Sequence, residues 1–200
     1  MKFLIELNDL SKSERVRLAK LTKNVRLLTV LVEEEEWKIK AAAAHNKNVT
    51  IKILEKLYQE STNIICENVL NPTTYDKVID VLVEIAKNVN TPLYILQELS
   101  HHSDSRVKAA VLKNPNITLE IFQELLRDST PEVRAAIVSN KRSTIEMFYE
   151  YFNDGNCNEK LKLAMAQNSK TPVDLLIDLI IDNNSNVSVI AIKNLRKKKK

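Results

Sequence analysis

Seven acidic residues return at a near-constant interval between positions 98 and 178 of this 200-residue chain. They fall into two columns that are four residues apart within a repeat: Glu98, Glu120, Glu124, Glu146, Glu150, Asp174 and Asp178. Carboxylates can bind metal ions, exchange protons or dock basic peptides, and residues four apart share one face of a helix. We therefore expect these side chains to form one surface, called the acidic ridge below.

Two interpretations of the acidic ridge are open. An acid in the first turn of a helix complements the helix dipole, so the ridge fits an ordinary solvated helix face. The same charges also fit a docking surface for a basic segment of a partner protein. An earlier repeat has Lys52 and Lys56 at the equivalent positions, which would end the ridge there.

A column of basic residues recurs with the same period: Lys40, Lys108, Arg134 and Lys162. These cations could contact the phosphates of a nucleic acid. Acidic residues stand just before the next basic residue of the column, however, and Asp128 with Arg134 fits an ion pair between neighbouring repeats. We favour structural neutralisation of this column over phosphate binding.

The net charge of +4 comes from the end of the chain, where residues 196–200 are all basic. The other 25 basic side chains and all 26 acidic ones lie in residues 1–195, so the body of the protein is not basic. The terminal run is a solvated, disordered tail in one interpretation and contacts an anionic surface or polymer in another.

Residue patterns typical of catalysis are missing from the sequence. His101, His102 and Asp104 form the only imidazole cluster, in a predicted loop and without further ligands at a spacing that suits a metal. Gly155 is the only glycine, which excludes a glycine-rich phosphate-binding loop. We expect no enzyme, no cofactor and no metal site.

The elements that position these residues follow from a recurring asparagine. Asn88, Asn114, Asn140, Asn168 and Asn194 are 26, 26, 28 and 26 residues apart, a period typical of stacked supersecondary units. Apolar residues precede most of these asparagines by seven, four and three positions, and follow most of them by seven, eight and eleven. The first set predicts a short helix A and the second a helix B, with the asparagine ending helix A in the left-handed conformation.

Hydroxyl residues mark the predicted start of each helix B: Thr91, Thr118, Ser143-Thr144 and Thr171. Their side chains can cap the free amides of a first helical turn. Ser143 with Glu146 has the spacing of a capping box, and Thr171 with Asp174 is a weaker variant of it. The caps therefore recur in phase with the apolar pattern.

The repeat pattern also predicts the boundaries of the chain's parts. Residues 37–60 form an earlier copy and residues 1–36 a weaker, capping copy. The pattern degrades at 61–80, where we expect a short helix at 62–70, a turn at 71–74 and an extended helix A at 75–87. The last unit is expected to stop after helix A at Asn194. We predict one domain over 1–195, with 37–195 as the repeats and 196–200 as the basic tail.

These repeats resemble a known family. The stretch from Val107 to Thr118, with its Asn114-Pro115 step, is similar to the leucine-rich repeat variant, which belongs among the HEAT-like α-solenoids. The resemblance covers about residues 37–195 and implies a protein-interaction surface without catalytic residues. This sequence lacks the N-terminal cysteine cluster that one branch of that family has, so no iron–sulfur site is expected. We expect an all-α fold: a right-handed α-solenoid, or superhelix, of stacked two-helix repeats.

The sequence therefore predicts a non-enzymatic, cytoplasmic scaffold that holds a partner protein on the acidic ridge, whose charge favours a basic partner. Cys66 and Cys157 lie 91 residues apart and fit a reducing compartment, and no apolar run is long enough for membrane insertion. The alternative is nucleic-acid binding through the basic column and the lysine tail. Self-association is a third possibility, because the tail of one copy could meet the ridge of another.

Overall fold

In the computed structural model, residues 7, 9–66, 71–155 and 157–198 are described, and these residues form helices joined by short loops without any strand. The helices of this part of the chain are α1 (Lys12–Leu21), α2 (Val25–Leu31), α3 (Trp37–His45), α4 (Ile51–Cys66), α5 (Pro72–Lys87), α6 (Leu93–Ser100), α7 (Ser105–Val111), α8 (Leu119–Leu125), α9 (Pro131–Ser139), α10 (Ile145–Asn153), α11 (Glu159–Gln167), α12 (Val173–Ile180) and α13 (Ser185–Lys198). The predicted all-α class is confirmed for them. None of these helices is long and apolar enough to cross a bilayer.

The chain divides into two compact units, Met1–Ile117 and Thr118–Lys200. In the first unit, α1, α3, α5 and α7 pack one on the next in chain order, while α2, α4 and α6 each pack against the two helices that flank them. In the second unit, α9, α11 and α13 pack in order, α10 packs on α9, and α12 packs on α11 and α13. The odd-numbered helices from α1 to α13 are thus the predicted A helices and the even-numbered ones the B helices.

The apolar spacing predicted for helix A is confirmed by burial. On α7, Val107, Ala110 and Val111 have at most 2% of their surface exposed. Leu161 and Met165 on α11 are fully buried. The small alanine between larger aliphatics lets neighbouring A helices approach closely, so each helix A buries one stripe against the next.

The prediction that asparagine ends helix A in the left-handed conformation is wrong. Asn46, Asn88, Asn140 and Asn168 cap their helices with φ between −67° and −78° and ψ between 127° and 145°, which is extended backbone. Extended backbone suits the asparagine because its Oδ1 then accepts a hydrogen bond from the amide two residues later, as Asn88 does from Asn90 at 2.9 Å.

The side-chain amides of these asparagines join consecutive A helices. Asn88 Nδ2 donates to the carbonyls of Ala44 at 2.6 Å and Asn46 at 3.0 Å, at the end of the preceding helix A. Asn114 repeats the arrangement on Ala86 at 2.7 Å and Asn88 at 2.8 Å. We call this series the asparagine ladder; its members are Asn46, Asn88, Asn114, Asn168 and Asn194. The ladder gives the recurring asparagine its physical reason, since it satisfies carbonyls that a helix end leaves free.

Only part of the predicted capping pattern is correct. Thr118 caps α8, and its Oγ1 accepts a hydrogen bond from the Ile121 amide at 3.3 Å. Thr91 and Thr171 instead donate their hydroxyls backwards, to Ile85 at 2.5 Å and Met165 at 2.6 Å in the preceding helix A. Pro92 and Pro172 occupy the N-cap positions of α6 and α12, so these threonines lie one residue too early to cap.

The predicted capping boxes at Ser143–Glu146 and Thr171–Asp174 are therefore wrong. The Ser143 hydroxyl donates to Asn140 O at 2.7 Å, and Thr144 takes the N-cap position of α10 without a side-chain cap. These hydroxyls are buried against helix A, where they satisfy carbonyls that would otherwise lie unpaired. In the loops of Thr91, Ser143 and Thr171, the hydroxyl therefore bonds back to a carbonyl of helix A or of the loop and does not cap helix B.

The irregular segment and the end of the chain differ from prediction. Residues 62–66 continue α4 and form no separate helix, while residues 67–70 lie outside the described part. The predicted turn at 71–74 is wrong because Asn71 caps α5, which begins at Pro72. The predicted stop at Asn194 is also wrong, since α13 continues to Lys198. Basic side chains in the last turn complement the helix dipole, so residues 196–198 extend the helix and form no separate tail. Residues 199–200 lie outside the described residues.

Candidate functional site

The acidic ridge lies on the exposed faces of the B helices. Glu98 stands on α6 in the first unit, and the other six acids stand on α8, α10 and α12 in the second unit. All seven are exposed, while the opposite faces of the same helices are buried, as Leu175 and Leu179 show on α12. The amphipathic pattern of each helix therefore presents its carboxylates to solvent.

The first-turn acids interact with their own helix ends. Hydrogen bonds with the backbone amide of its own residue and with the Thr118 hydroxyl hold the pKa of the Glu120 carboxyl below its ordinary value. The same two kinds of bond, with Thr144 as the hydroxyl partner, lower the pKa of Glu146. These acids are ionised at neutral pH and partly serve their helices, which supports the solvated-face interpretation for the first-turn column alone.

Within the second unit, a tyrosine connects two helices of the ridge. The hydroxyl of Tyr149 on α10 donates to both carboxylate oxygens of Asp174 on α12, at 3.0 and 2.8 Å. This bond lowers the pKa of Asp174 and raises that of Tyr149. The bond places α10 and α12 side by side, so Glu150 and Asp178 belong to one continuous surface.

Glu98 has a different environment from the rest of the ridge. The hydroxyl of Tyr58 on α4 donates to its carboxylate, and Tyr94 donates in the opposite direction to Glu55 on α4 at 2.6 Å. Burial and the Glu98 bond raise the pKa of Tyr58. Glu98 thus links two neighbouring B helices of the first unit, and this bond occupies part of its carboxylate.

A column of half-exposed aliphatic residues beside the acids escaped the sequence analysis. The first residue of each of five B helices is aliphatic and between 46% and 53% exposed: Ile51, Leu93, Leu119, Ile145 and Val173. Ile177 on α12 adds a further aliphatic side chain, 52% exposed, one residue before Asp178. The signal in the sequence is an aliphatic residue five positions after Asn46, Asn88, Asn114, Asn140 and Asn168, but sequence alone cannot show that half of it stays in solvent. An ordinary solvated face would not need these residues.

Ion pairs neutralise the basic column, as the sequence analysis favoured, but with a different partner. Lys162 Nζ lies 2.7 Å from Asp182, and Lys40 and Arg134 contact Glu60 and Asp154. Each of these acids follows its cation by twenty residues, so a residue of helix A pairs with helix B of the same repeat, at Glu60, or with the residues just after it, at Asp154 and Asp182. The predicted pair, by contrast, would have joined Asp128 of one repeat to Arg134 of the next.

Burial and ring contacts further restrict the basic column. Lys40 is 4% exposed, and its Nζ lies 4.7 Å from the ring centroid of Trp37. The guanidinium of Arg134 lies 5.2 Å from the ring of Tyr151. Lys108 is partly buried. Cations held in this way have little freedom to reach phosphates.

The imidazole cluster, which the sequence places in a loop, is only partly exposed. His101 is exposed at the end of α6, whereas His102 is half-buried and its Nδ1 accepts a hydrogen bond from the Asp104 amide at 3.0 Å. Burial lowers the pKa of His102. In the described ranges, no three His, Cys, Asp or Glu residues are grouped so that they could hold a metal ion.

The two cysteines are free thiols, with Cys66 exposed and Cys157 partly buried. Burial raises the pKa of the Cys157 thiol, which opposes formation of the reactive thiolate. This environment does not give Cys157 the low pKa that a nucleophile needs.

Comparison with known proteins adds no assignment to this geometry. Neither a protein-family model nor a curated protein sequence matches the chain. The candidate site therefore depends on the exposed carboxylates and aliphatic residues of the B helices.

Proposed function

We propose that this chain is a non-enzymatic scaffold that docks a basic segment of a partner protein on the acidic ridge. The observation that carries the proposal is made on α10 and α12, two helices joined by the Tyr149–Asp174 bond. They expose the carboxylates of Glu150 and Asp178 and leave the aliphatic side chains of Ile145, Val173 and Ile177 half-exposed. Protein interfaces combine a desolvated apolar centre with a charged rim, and this surface offers both.

The charges and the aliphatic residues would have separate roles in binding. Carboxylates attract a basic partner over about one Debye length, roughly 8 to 10 Å at physiological salt, and raise the association rate. The aliphatic side chains would then supply the apolar area that holds the complex together. Loss of charge should therefore slow association, whereas loss of aliphatic area should speed dissociation.

The proposed architecture is a right-handed α-solenoid of HEAT or leucine-rich repeat variant type. Within each unit, consecutive A helices pack in chain order, and the asparagine ladder bonds each helix A end to the one before it. Such stacking places equivalent positions side by side, which turns a recurring residue into an extended surface. The free thiols of Cys66 and Cys157 support a cytoplasmic location.

Nucleic-acid binding through Lys40, Lys108, Arg134 and Lys162 has less support. Three of these cations form ion pairs, and Lys40 is almost fully buried. Arg196, Lys197 and Lys198 remain exposed in the last turn of α13 and are the cations best able to serve this alternative.

The test is affinity capture from the native host with two matched charge-reversal variants. The first variant carries Glu150→Lys and Asp178→Lys on the ridge. The control carries Glu35→Lys and Asp80→Lys, two exposed acids away from the ridge. We expect the ridge variant to lose at least about tenfold in capture of the wild-type partner, while the control retains it.

Circular dichroism verifies that both variants keep their helicity. Equal capture of the partner by the wild type and the ridge variant would contradict the proposal. So would equal losses in the two variants, because the effect would then follow net charge and not this surface.

A further inference from the structure

The loops that join helix A to helix B in the first unit carry an accumulation of basic residues. Together with the adjoining helix turns they present exposed cations at Lys20, Lys23, Arg26, Lys47, Lys52, Lys87 and Lys113. We call this surface the basic edge. It is distinct from the basic column, whose residues lie within the A helices.

The asparagine ladder holds these loops next to one another in chain order. Asn46 Nδ2 donates to Thr22 O at 2.8 Å, and Asn114 Nδ2 donates to Asn88 O at 2.8 Å. Between them, Asn90 Nδ2 donates to Lys47 O at 3.0 Å. The basic edge is therefore one continuous surface of the first unit, with at least one cation in each loop or in the helix turns beside it.

Little on the basic edge neutralises these charges. Among the described residues, Glu84 is the acid that lies on this edge. It pairs with His45 at 2.6 Å and with Lys87 at 2.8 Å. These three residues line a groove of about 390 Å³. These bonds outweigh burial and lower the pKa of Glu84. Lys20, Lys23 and Lys47 form no ion pair within the described part of the chain. Their charges are available to a partner.

The basic edge also carries exposed aliphatic residues. In the described part of the first unit, the large aliphatic side chains that remain exposed are Leu21 at 64%, Val25 at 38%, Ile51 at 51%, Val89 at 51% and Leu93 at 46%. Leu21 is the last residue of α1, Val89 lies in the loop before α6, and the other three are each the first residue of the helix B that follows. Solvation alone gives no reason for aliphatic side chains to collect here, whereas a protein interface does.

The acidic ridge has the same construction with the opposite charge. Its half-exposed aliphatic residues, Ile145, Val173 and Ile177, stand among exposed carboxylates. We infer that the basic edge of one molecule docks on the acidic ridge of a second copy of this chain. The inference rests on the proposed function, because it uses the ridge as a protein-docking surface and names one partner for it.

A second copy fits both components of the basic edge. A nucleic acid would match the lysines but would leave the aliphatic residues without a role. An anionic bilayer would accept lysines and aliphatic residues alike. The ridge of another copy matches them equally well, and it is present at the same concentration as the edge. Because two different surfaces meet, the contact is heterologous and produces rings or open chains.

A charge-swap experiment tests this inference in the full chain. The edge variant carries Lys20→Glu, Lys23→Glu and Lys47→Glu, and the ridge variant carries Glu150→Lys and Asp178→Lys. In sedimentation velocity at low salt we expect the wild type to associate and each variant alone to associate at least about tenfold more weakly. An equimolar mixture of the two variants should restore association, because the reversed charges complement each other again.

The control reverses three exposed cations of the first unit that lie away from the loops, with Arg17→Glu, Lys38→Glu and Lys77→Glu. It should associate as the wild type does. A wild type that remains monomeric, an edge variant that associates normally, or a mixture that fails to associate would each overturn the inference. Binding of DNA or of phosphatidylserine vesicles by a monomeric wild type would assign the edge to that ligand instead.

The edge variant keeps the ridge intact, so it should still capture a basic partner from the native host. Loss of self-association with retained capture is the result expected if both proposals are correct. Failure of the charge swap with retained capture would overturn the inference alone. If the ridge variant captured the partner as well as the edge variant does, that result would contradict the proposed function.

Discussion

Ladder asparagines such as Asn88 use their side chains on two consecutive repeats at once. The Oδ1 of Asn88 accepts an amide of its own loop, and its Nδ2 donates to two carbonyls at the end of the preceding helix A. In the first loop a threonine takes over the acceptor role alone, because Thr22 Oγ1 accepts the Asn24 amide at 3.1 Å. Only the amide supplies both an acceptor and two donors, which explains why asparagine recurs.

At Asn114 this arrangement predicts a large loss of stability on truncation. The residue is 2% exposed, and Asn114→Ala would remove the side-chain donor to two carbonyls and the acceptor of one amide. We expect the free energy of unfolding to fall by about 2–4 kcal/mol, measured by urea denaturation. Asn116→Ala is the matched control, since Asn116 is exposed and donates one bond, to Val89 O at 2.7 Å. Equal losses for the two variants would contradict a structural role of the ladder.

The half-buried His102 predicts a dependence of stability on pH. Burial lowers its pKa, so the unfolded chain binds a proton at a higher pH than the folded chain does. Stability from this group is complete above the ordinary pKa of about 6.5 and falls as the pH drops through it. Protonation would also remove the Nδ1 acceptor that holds the Asp104 amide.

The measurement is urea denaturation of the wild type and of His102→Asn at about pH 7.5 and pH 5.5. The wild type should lose more stability between these two values than the variant, whose side chain keeps an acceptor but does not titrate. An identical loss in both proteins would show that His102 does not contribute to the pH dependence.

Among the elements, helix interiors were predictable and helix ends were not. The apolar spacing around Val107 and Leu161 identified the buried stripe of helix A, because burial imposes a helical period on the sequence. The ends depend on which group each polar side chain reaches. Thr91 and Thr171 had the residue type of an N-cap, but tertiary packing directs their hydroxyls to the preceding helix.

The same distinction applies to the candidate site. The period was sufficient to predict that the acids lie at exposed positions of the B helices, because equivalent helix positions recur with it. The aliphatic residues beside them could not be recognised, since Ile145 and Val173 have the composition of core residues and only their surroundings leave them half-exposed. The lysines of the basic edge were equally hidden, because they gather through contacts between residues more than twenty positions apart, such as Asn46 with Thr22.

The start of α5 provides a prediction about a single element. Asn71 Oδ1 accepts the Thr74 amide at 2.9 Å, and Pro72 occupies the first turn. Asn71→Ala should therefore cost about 1 kcal/mol of unfolding free energy, whereas Asn71→Asp should retain the cap. Thermal denaturation followed by circular dichroism measures both. A loss in the aspartate variant as large as in the alanine variant would mean that the asparagine oxygen does not cap this helix.

In the molecule as a whole, acidic and basic side chains collect on different surfaces, although their charges nearly cancel in total. The body is close to neutral in sequence, yet the B helices of the second unit present carboxylates and the loops of the first unit present lysines. Both surfaces include half-exposed aliphatic residues, which relates them to protein recognition more than to solubility. We therefore expect partner binding at these surfaces to weaken with added salt but not to disappear, because the apolar area persists when the charges are screened.

Carboxyl footprinting of the complex tests most directly whether the acidic ridge is the docking surface. Exposed carboxylates are labelled with a carbodiimide and an amine, and the labelled residues are identified by mass spectrometry with and without the captured partner. The account predicts that the partner protects Glu146, Glu150 and Asp178, while Glu35 and Asp80 are labelled as in the free protein. Unchanged labelling of the ridge in the bound state, with protection elsewhere, would contradict it.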